Sequence, residues 1–143
     1  MKIMFVCTGN TCRSPLAQAL MTEKLKKIGR EDITIDSCGI YCEEGVPISE
    51  NSRKVLEERG IDFFHTSKSV QSIDVDEVDY FICMTKSHKM YLSTIVDINK
   101  IYCFDDITHD GDISDPYGQD IDVYRKTADQ IDKALDILIF KIK

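Results

Sequence analysis

Short apolar runs alternating with helix-period segments constrain this chain more than any other feature. Lys2 to Cys7 is an apolar run of strand length that stops abruptly at Thr8-Gly9-Asn10. Leu16, Ala17, Leu20, Met21, Leu25 and Ile28 then recur at helical spacing, with Gly29 as the stop. Ser14 and Pro15 stand where a helix N-cap and a first helical residue are expected. Asp32 to Ser37 alternates Ile33 and Ile35 with polar residues, predicting a second strand that ends at Cys38-Gly39. Ser49 to Arg59 predicts a helix closed by Gly60, and Ile73 to Val78 a short one. Tyr80 to Met84 is a third strand, Ser87 to Val96 a helix and Ile101 to Phe104 a fourth strand. An Asp-rich loop from Asp105 to Asp122 leads into a long amphipathic helix over Ile121 to Ile142. The alternation predicts a single α/β domain over residues 1–143, a doubly wound four-stranded parallel sheet flanked by helices. Ligands of such sheets sit at the carboxyl ends of the strands, where Cys7 and Cys38 fall.

Composition narrows the function classes. With 18 basic and 25 acidic side chains the formal charge is -7, and no Lys/Arg stripe interrupts it, which argues against a nucleic-acid partner. No apolar stretch approaches the length of a membrane span, and Met1-Lys2 followed by Ile3 to Cys7 is too brief for a signal peptide. A cytoplasmic protein without a membrane partner is the expectation. The six cysteines (Cys7, Cys12, Cys38, Cys42, Cys83 and Cys103) are then thiols for catalysis, metal binding or plain burial rather than staples.

Chemistry concentrates in Cys7-Thr8-Gly9-Asn10-Thr11-Cys12-Arg13-Ser14-Pro15, which joins the first strand to the first helix. Unpaired N–H groups and the positive end of a helix dipole converge at such a junction and make an anion site. Arg13 adds a fork for two oxygens of a phosphate, and Gly9 is expected to permit the backbone angles and close approach that a cradle needs. A thiol facing that positive concavity is favoured as thiolate, the nucleophilic form.

This segment closely resembles the phosphate-binding loop of the low-molecular-weight protein tyrosine phosphatases. Asp115-Pro116-Tyr117-Gly118 resembles the same family's general-acid loop, and Asp36-Ser37-Cys38-Gly39, Asn51 to Gly60 and Cys83-Met84 are weaker echoes in order between them. The resemblance implies Cys7 as nucleophile, Arg13 as transition-state anchor and Asp115 as general acid. It assigns Thr8, Gly9, Asn10, Thr11, Cys12 and Ser14 to phosphate binding, with Ser14 also donating to the sulfur and capping the helix. Pro116 stiffens the acid loop and has no N–H to compete for the carboxylate, while Tyr117 and Tyr41 are candidate walls. Asn10, Ser37 and His65 match positions that brace the loop, and Cys12 matches a second thiol able to form a reversible disulfide with the nucleophile. The implied activity needs no cofactor or metal. Its partners are phosphorylated proteins, with an unidentified kinase as counterpart.

Thr11, with Met84-Thr85 and His88-Lys89, resembles the bacterial protein-arginine phosphatase branch, so phosphoarginine is the favoured substrate and phosphotyrosine the alternative. Two further uses of the same loop stay open. Arsenate reductases of the thioredoxin-coupled type share it but need a thiol pair seven positions apart; here Cys83 is followed at that spacing by Met90. A phosphocysteine carrier of a sugar-transport system would have no need of Asp115-Pro116. The Cys7/Cys12 and Cys38/Cys42 spacings fit structural zinc poorly, and the loop around Gly111 lacks the EF-hand ligand pattern.

Overall fold

In a computed structural model describing residues 1–142, β1 (Lys2–Cys7) is central to a parallel sheet ordered β2-β1-β3-β4. The other strands are β2 (Thr34–Gly39), β3 (Tyr80–Cys83) and β4 (Ile101–Cys103). Helices α1 (Arg13–Lys27), α2 (Glu50–Glu58), α3 (Lys86–Leu92), α4 (Phe104–Thr108) and α5 (Ile121–Ile142) connect and flank them. Period-two alternation along β1 sends Ile3, Phe5 and Cys7 to one face and Met4 and Val6 to the other. The first face packs against α1, α2, α4 and α5, the last burying Tyr124, Thr127, Ala128, Ile131, Ala134, Leu135 and Leu138. The second packs against Val70, Val78, Leu92 and Val96 from α3 and the neighbouring loops. No helix among the described residues is long and apolar enough to cross a membrane.

Several boundaries depart from the sequence expectation. Helix α1 begins at Arg13 with Cys12 as its N-cap residue, so Ser14 and Pro15 lie inside the first turn. Ser14 therefore does not cap the helix; its hydroxyl is committed to Cys7 and Asn10. Pro15 is tolerated because first-turn N–H groups have no intrahelical acceptor. The short helix expected over Ile73 to Val78 is a single 3-10 turn, Val75–Glu77, preceded by another at Val70–Ser72; the Asp74 and Ser69 side chains begin them. The helix after β3 stops at Leu92. Part of the supposed Asp-rich loop is helical: Asp105 and Asp106 occupy the first turn of α4, where carboxylates favour a helix, and Asp106 Oδ2 accepts from Cys103 N at 2.9 Å.

The order β2-β1-β3 places the topological switch at the carboxyl ends of β1 and β3. There β2 presses against the loop after β1. Tyr41 N donates to Thr8 O (3.1 Å) and Ile40 N to Cys7 O (3.0 Å). A Cβ on Gly39 would stand 2.6 Å from Thr8 O and 2.8 Å from Cys42 Sγ. Backbone on one side leaves no flexible group to yield. Gly39→Ala is expected to lose about 1–3 kcal/mol of stability, as overpacked sites do, measured by chemical denaturation.

Candidate active site

Residues 8–12 form a cradle between β1 and α1 whose conformation turns on Asn10. Asn10 is fully buried and takes the left-handed region at φ 55, the one non-glycine in this loop to do so. Asn tolerates that region better than other side chains. Its amide side chain and its backbone N–H and carbonyl all have partners. Nδ2 donates to Ser14 Oγ (2.8 Å) and Ser37 Oγ (2.9 Å), Oδ1 accepts from Lys68 N (3.0 Å), and the carbonyl accepts from His65 Nε2 (2.7 Å). A carbonyl can only accept, so His65 carries its proton on Nε2; burial pushes its pKa below the ordinary value. Ser37 Oγ in turn donates a hydrogen bond to Gln18 Oε1 at 2.6 Å.

Gly9 serves differently from the expectation. Its backbone is not left-handed, and a Cβ there would meet little, the nearest atom being Thr11 Oγ1 at 3.8 Å. The angle requirement sits one residue later, at Asn10.

Cys7 Sγ lies at the base of the cradle, 3% exposed at the residue level. It accepts from Asn10 N at 3.2 Å and stands 2.9 Å from Ser14 Oγ. Because Asn10 Nδ2 already donates to the Ser14 hydroxyl, the Ser14 proton is free to point at sulfur. Two donors thus converge on one atom, which favours negative charge there.

Above the sulfur a pocket of about 250 Å³ is lined by Cys7, Thr8, Gly9, Thr11, Cys12, Arg13, Asp115 and Tyr117. All eight were expected from the sequence. Asn10 and Ser14 lie beneath it as braces, and Tyr41 belongs instead to a neighbouring groove with Ile40, Cys42 and Ser69. Arg13 is buried, with NH1 donating to Ile113 O (3.1 Å) and NH2 3.6 Å from Asp115 Oδ2. Asp115 remains about half exposed. Pro116 has no N–H, but the following one does reach the carboxylate: Tyr117 N donates to Asp115 Oδ1 at 3.1 Å. The expectation that the carboxylate escapes backbone competition is corrected accordingly.

Sequence reasoning missed the anchors of this acid loop. Ile113 N donates to Met84 O (2.9 Å), Lys86 N to Asp112 Oδ1 (2.9 Å), and Gln130 from α5 clasps Asp112 O and Ser114 N. It singled out His88 only as part of a resemblance and missed its contact with the loop, where Nε2 is 2.8 Å from Thr8 Oγ1. Its place just past the carboxyl end of β3, the functional edge, was the available signal.

The other thiols divide by depth. Cys12 Sγ is buried 3.5 Å from Tyr124 Oη, whose pKa burial pushes up to about 12 with help from that thiol. Cys38, Cys83 and Cys103 are fully buried on the α3 face, and burial pushes each thiol up. That environment disfavours reactive thiolates.

The low molecular weight phosphotyrosine protein phosphatase family matches residues 2–143. A protein-arginine-phosphatase of Geobacillus stearothermophilus is 34% identical across 99% of this chain and 96% of its own length. The low molecular weight protein-tyrosine-phosphatase PtpB of Staphylococcus haemolyticus is 37% identical across 92% of each. Among solved structures, the arginine phosphatase YwlE, as a mutant with a phosphorylated active-site serine, superposes with a TM-score of 0.93 at 29% identity, covering 99% of this chain and 95% of that one.

Burial and the Arg13 charge push His88 down to about 4 from 6.5. Between those values an unfolded chain binds more protons than the folded one, so stability falls as pH drops through that window. His65 shifts in the same direction. Thermal unfolding followed from pH 7 to pH 4 is expected to show a steadily falling midpoint, with a shallower fall in His88→Gln.

Proposed function

The chain belongs to the low molecular weight phosphotyrosine protein phosphatase family, and from that premise we propose that it hydrolyses phosphorylated protein side chains through a phosphocysteine at Cys7, with phosphoarginine preferred. The observation that carries this reading is the pocket itself: a sulfur holding two donors at its base, a buried guanidinium on its wall and a carboxylate at its mouth.

Cys7 Sγ attacks phosphorus in line, forming an S–P bond as the bond to the leaving group breaks. The protonated Asp115 carboxyl gives its proton to the departing atom, the guanidine nitrogen of arginine or the phenolic oxygen of tyrosine. Arg13 and the loop N–H groups hold the equatorial oxygens throughout. Water then attacks phosphorus, Asp115 takes its proton, and the S–P bond breaks to release inorganic phosphate and return the thiolate. Ser14 O–H, 2.9 Å from sulfur, stabilises that departing charge. The relative that carries phosphate on an active-site serine supports a phosphoenzyme route.

Thr11 supports the arginine preference. It lines the pocket as a small hydroxyl residue and leaves a polar partner for a guanidinium where a larger aliphatic group would offer a face to a phenyl ring. A protein-arginine-phosphatase stands among the relatives across nearly the whole chain, and tyrosine phosphatases supply the alternative.

Cys7→Ser is expected to abolish turnover of a phosphoaryl substrate, and retention of the parent rate would sink the mechanism. Asp115→Asn is expected to lose about 10²–10⁴-fold in turnover, the usual worth of a positioned acid. For substrate choice, phosphoarginine peptides should outpace phosphotyrosine peptides in the parent, with Thr11→Ile reversing the order. A parent that prefers phosphotyrosine and ignores the swap is a tyrosine phosphatase.

A further inference from the structure

His88 has an asymmetric environment that the reaction as described does not use. The residue is 4% exposed, Nε2 lies 2.8 Å from Thr8 Oγ1, and Nδ1 has no hydrogen-bond partner among the described residues. A buried N–H without an acceptor is the rarer fault, and an unpaired lone pair the lesser one. The network therefore assigns the proton to Nε2 and makes Thr8 Oγ1 the acceptor. The hydroxyl's own proton must then point elsewhere. Thr8 is exposed and lines the pocket above Cys7, which is the direction that remains.

We propose that His88 is a positioning residue for this reaction: by donating Nε2–H to Thr8 Oγ1, it turns the Thr8 hydroxyl proton into the pocket as a side-chain donor to a phosphoryl oxygen. The inference rests on the phosphatase reading and deepens it.

Three further features make His88 suited to the task. Its backbone N donates to Thr85 Oγ1 at 3.1 Å, fixing the start of α3, and Lys86 N donates to Asp112 Oδ1. The short helix that aims the imidazole is thus tied to the loop bearing Asp115. Burial and Arg13 oppose a charge on the ring against the weaker pull of Asp112 and Asp115. The ring consequently stays neutral around neutral pH, and the Thr8 contact selects its tautomer. An oriented hydroxyl also costs no reorganisation when phosphate enters, the condition under which a donor contributes most.

The test compares the parent with Thr8→Val, Thr8→Ser, His88→Ala, His88→Gln and the Thr8→Val/His88→Ala double variant. Inorganic phosphate binding is titrated calorimetrically and KM and kcat are measured on a phosphoaryl substrate. Hydrogen bonds to charged groups are among the stronger ones, so Thr8→Val and His88→Ala are each expected to weaken phosphate binding about tenfold. The double variant should be no weaker than either single one, because both remove the same donor. His88→Gln, which restores an N–H at similar reach, should recover most of the loss. The effect should appear chiefly in KM, since the contact exists before and during transfer.

Additive losses, or a folded His88→Gln as weak as His88→Ala, overturn the proposal. Should His88→Ala fail to fold, Thr8 and His88→Gln decide: Thr8→Ser must bind phosphate more tightly than Thr8→Val, His88→Gln must bind it more tightly than Thr8→Val, and failure of either overturns the assignment. A parent that binds no phosphate overturns this inference together with the phosphatase reading, whereas a parent that binds it with additive variants overturns this one alone.

Discussion

The left-handed turn at Asn10 is the constraint on which the remaining site geometry depends. A loop that must point its N–H groups inward cannot also run straight from β1 into α1, so one residue has to reverse the backbone. Asn10 does so at φ 55, fully buried, and its side chain and carbonyl together meet Ser14, Ser37, His65 and Lys68 N. An isolated αL residue is disfavoured, but here four tertiary hydrogen bonds over-determine it. The same bonds set the direction of the Ser14 proton and so the environment of Cys7 Sγ. Structural strain and sulfur chemistry share one set of contacts.

An acidic chain can bind anions because the positive site is built locally. The formal charge of -7 is spread over exposed carboxylates, many already paired, as Arg125 is with Glu58 and Lys24 with Asp136. Inside the pocket the relevant charges are one buried guanidinium, the loop N–H groups and the start of α1. Burial removes the solvent screening that would weaken those few groups at the surface. Asp115 is the exception that the chemistry needs, a carboxylate held 3.6 Å from Arg13 and still half exposed.

What the sequence disclosed and what it withheld follow from contact distance along the chain. The alternation of apolar runs gave all four strands and the long C-terminal helix, because period-two and helical spacing are local properties. The pocket-lining residues were equally legible, since most sit in one nine-residue segment. Helix α4 was not, because Asp105 and Asp106 read as loop when they are first-turn carboxylates, one tied to Lys86 and the other to Lys89. Ser14 was legible in part: its expected contact with the Cys7 sulfur is present, but its cap pattern is not realised because Cys7 and Asn10 in the preceding loop hold the same hydroxyl. Lys68, Gln130 and His88 act on residues 58, 18 and 80 positions away, as in Lys68 N to Asn10, Gln130 to Asp112 and His88 to Thr8. No local pattern encodes such meetings.

The proposed nucleophile, Cys7, and the proposed acid, Asp115, come from opposite ends of the chain, yet both are referenced to β1 and β3. Met84 N donates to Val6 O, one residue before Cys7, and Met84 O accepts from Ile113 N, two residues before Asp115. Met84, directly after β3, therefore spaces Cys7 and Asp115 through its own N–H and C=O. Arg13 repeats the link from the other side through Ile113 O, and Lys86 repeats it through Asp112. The Asp115 carboxylate is itself held, by Tyr117 N at Oδ1 and by Arg13 near Oδ2, yet it stays about half exposed at the pocket mouth. A displacement reaction that demands close alignment is served by referencing both ends of the pocket to the same strand end.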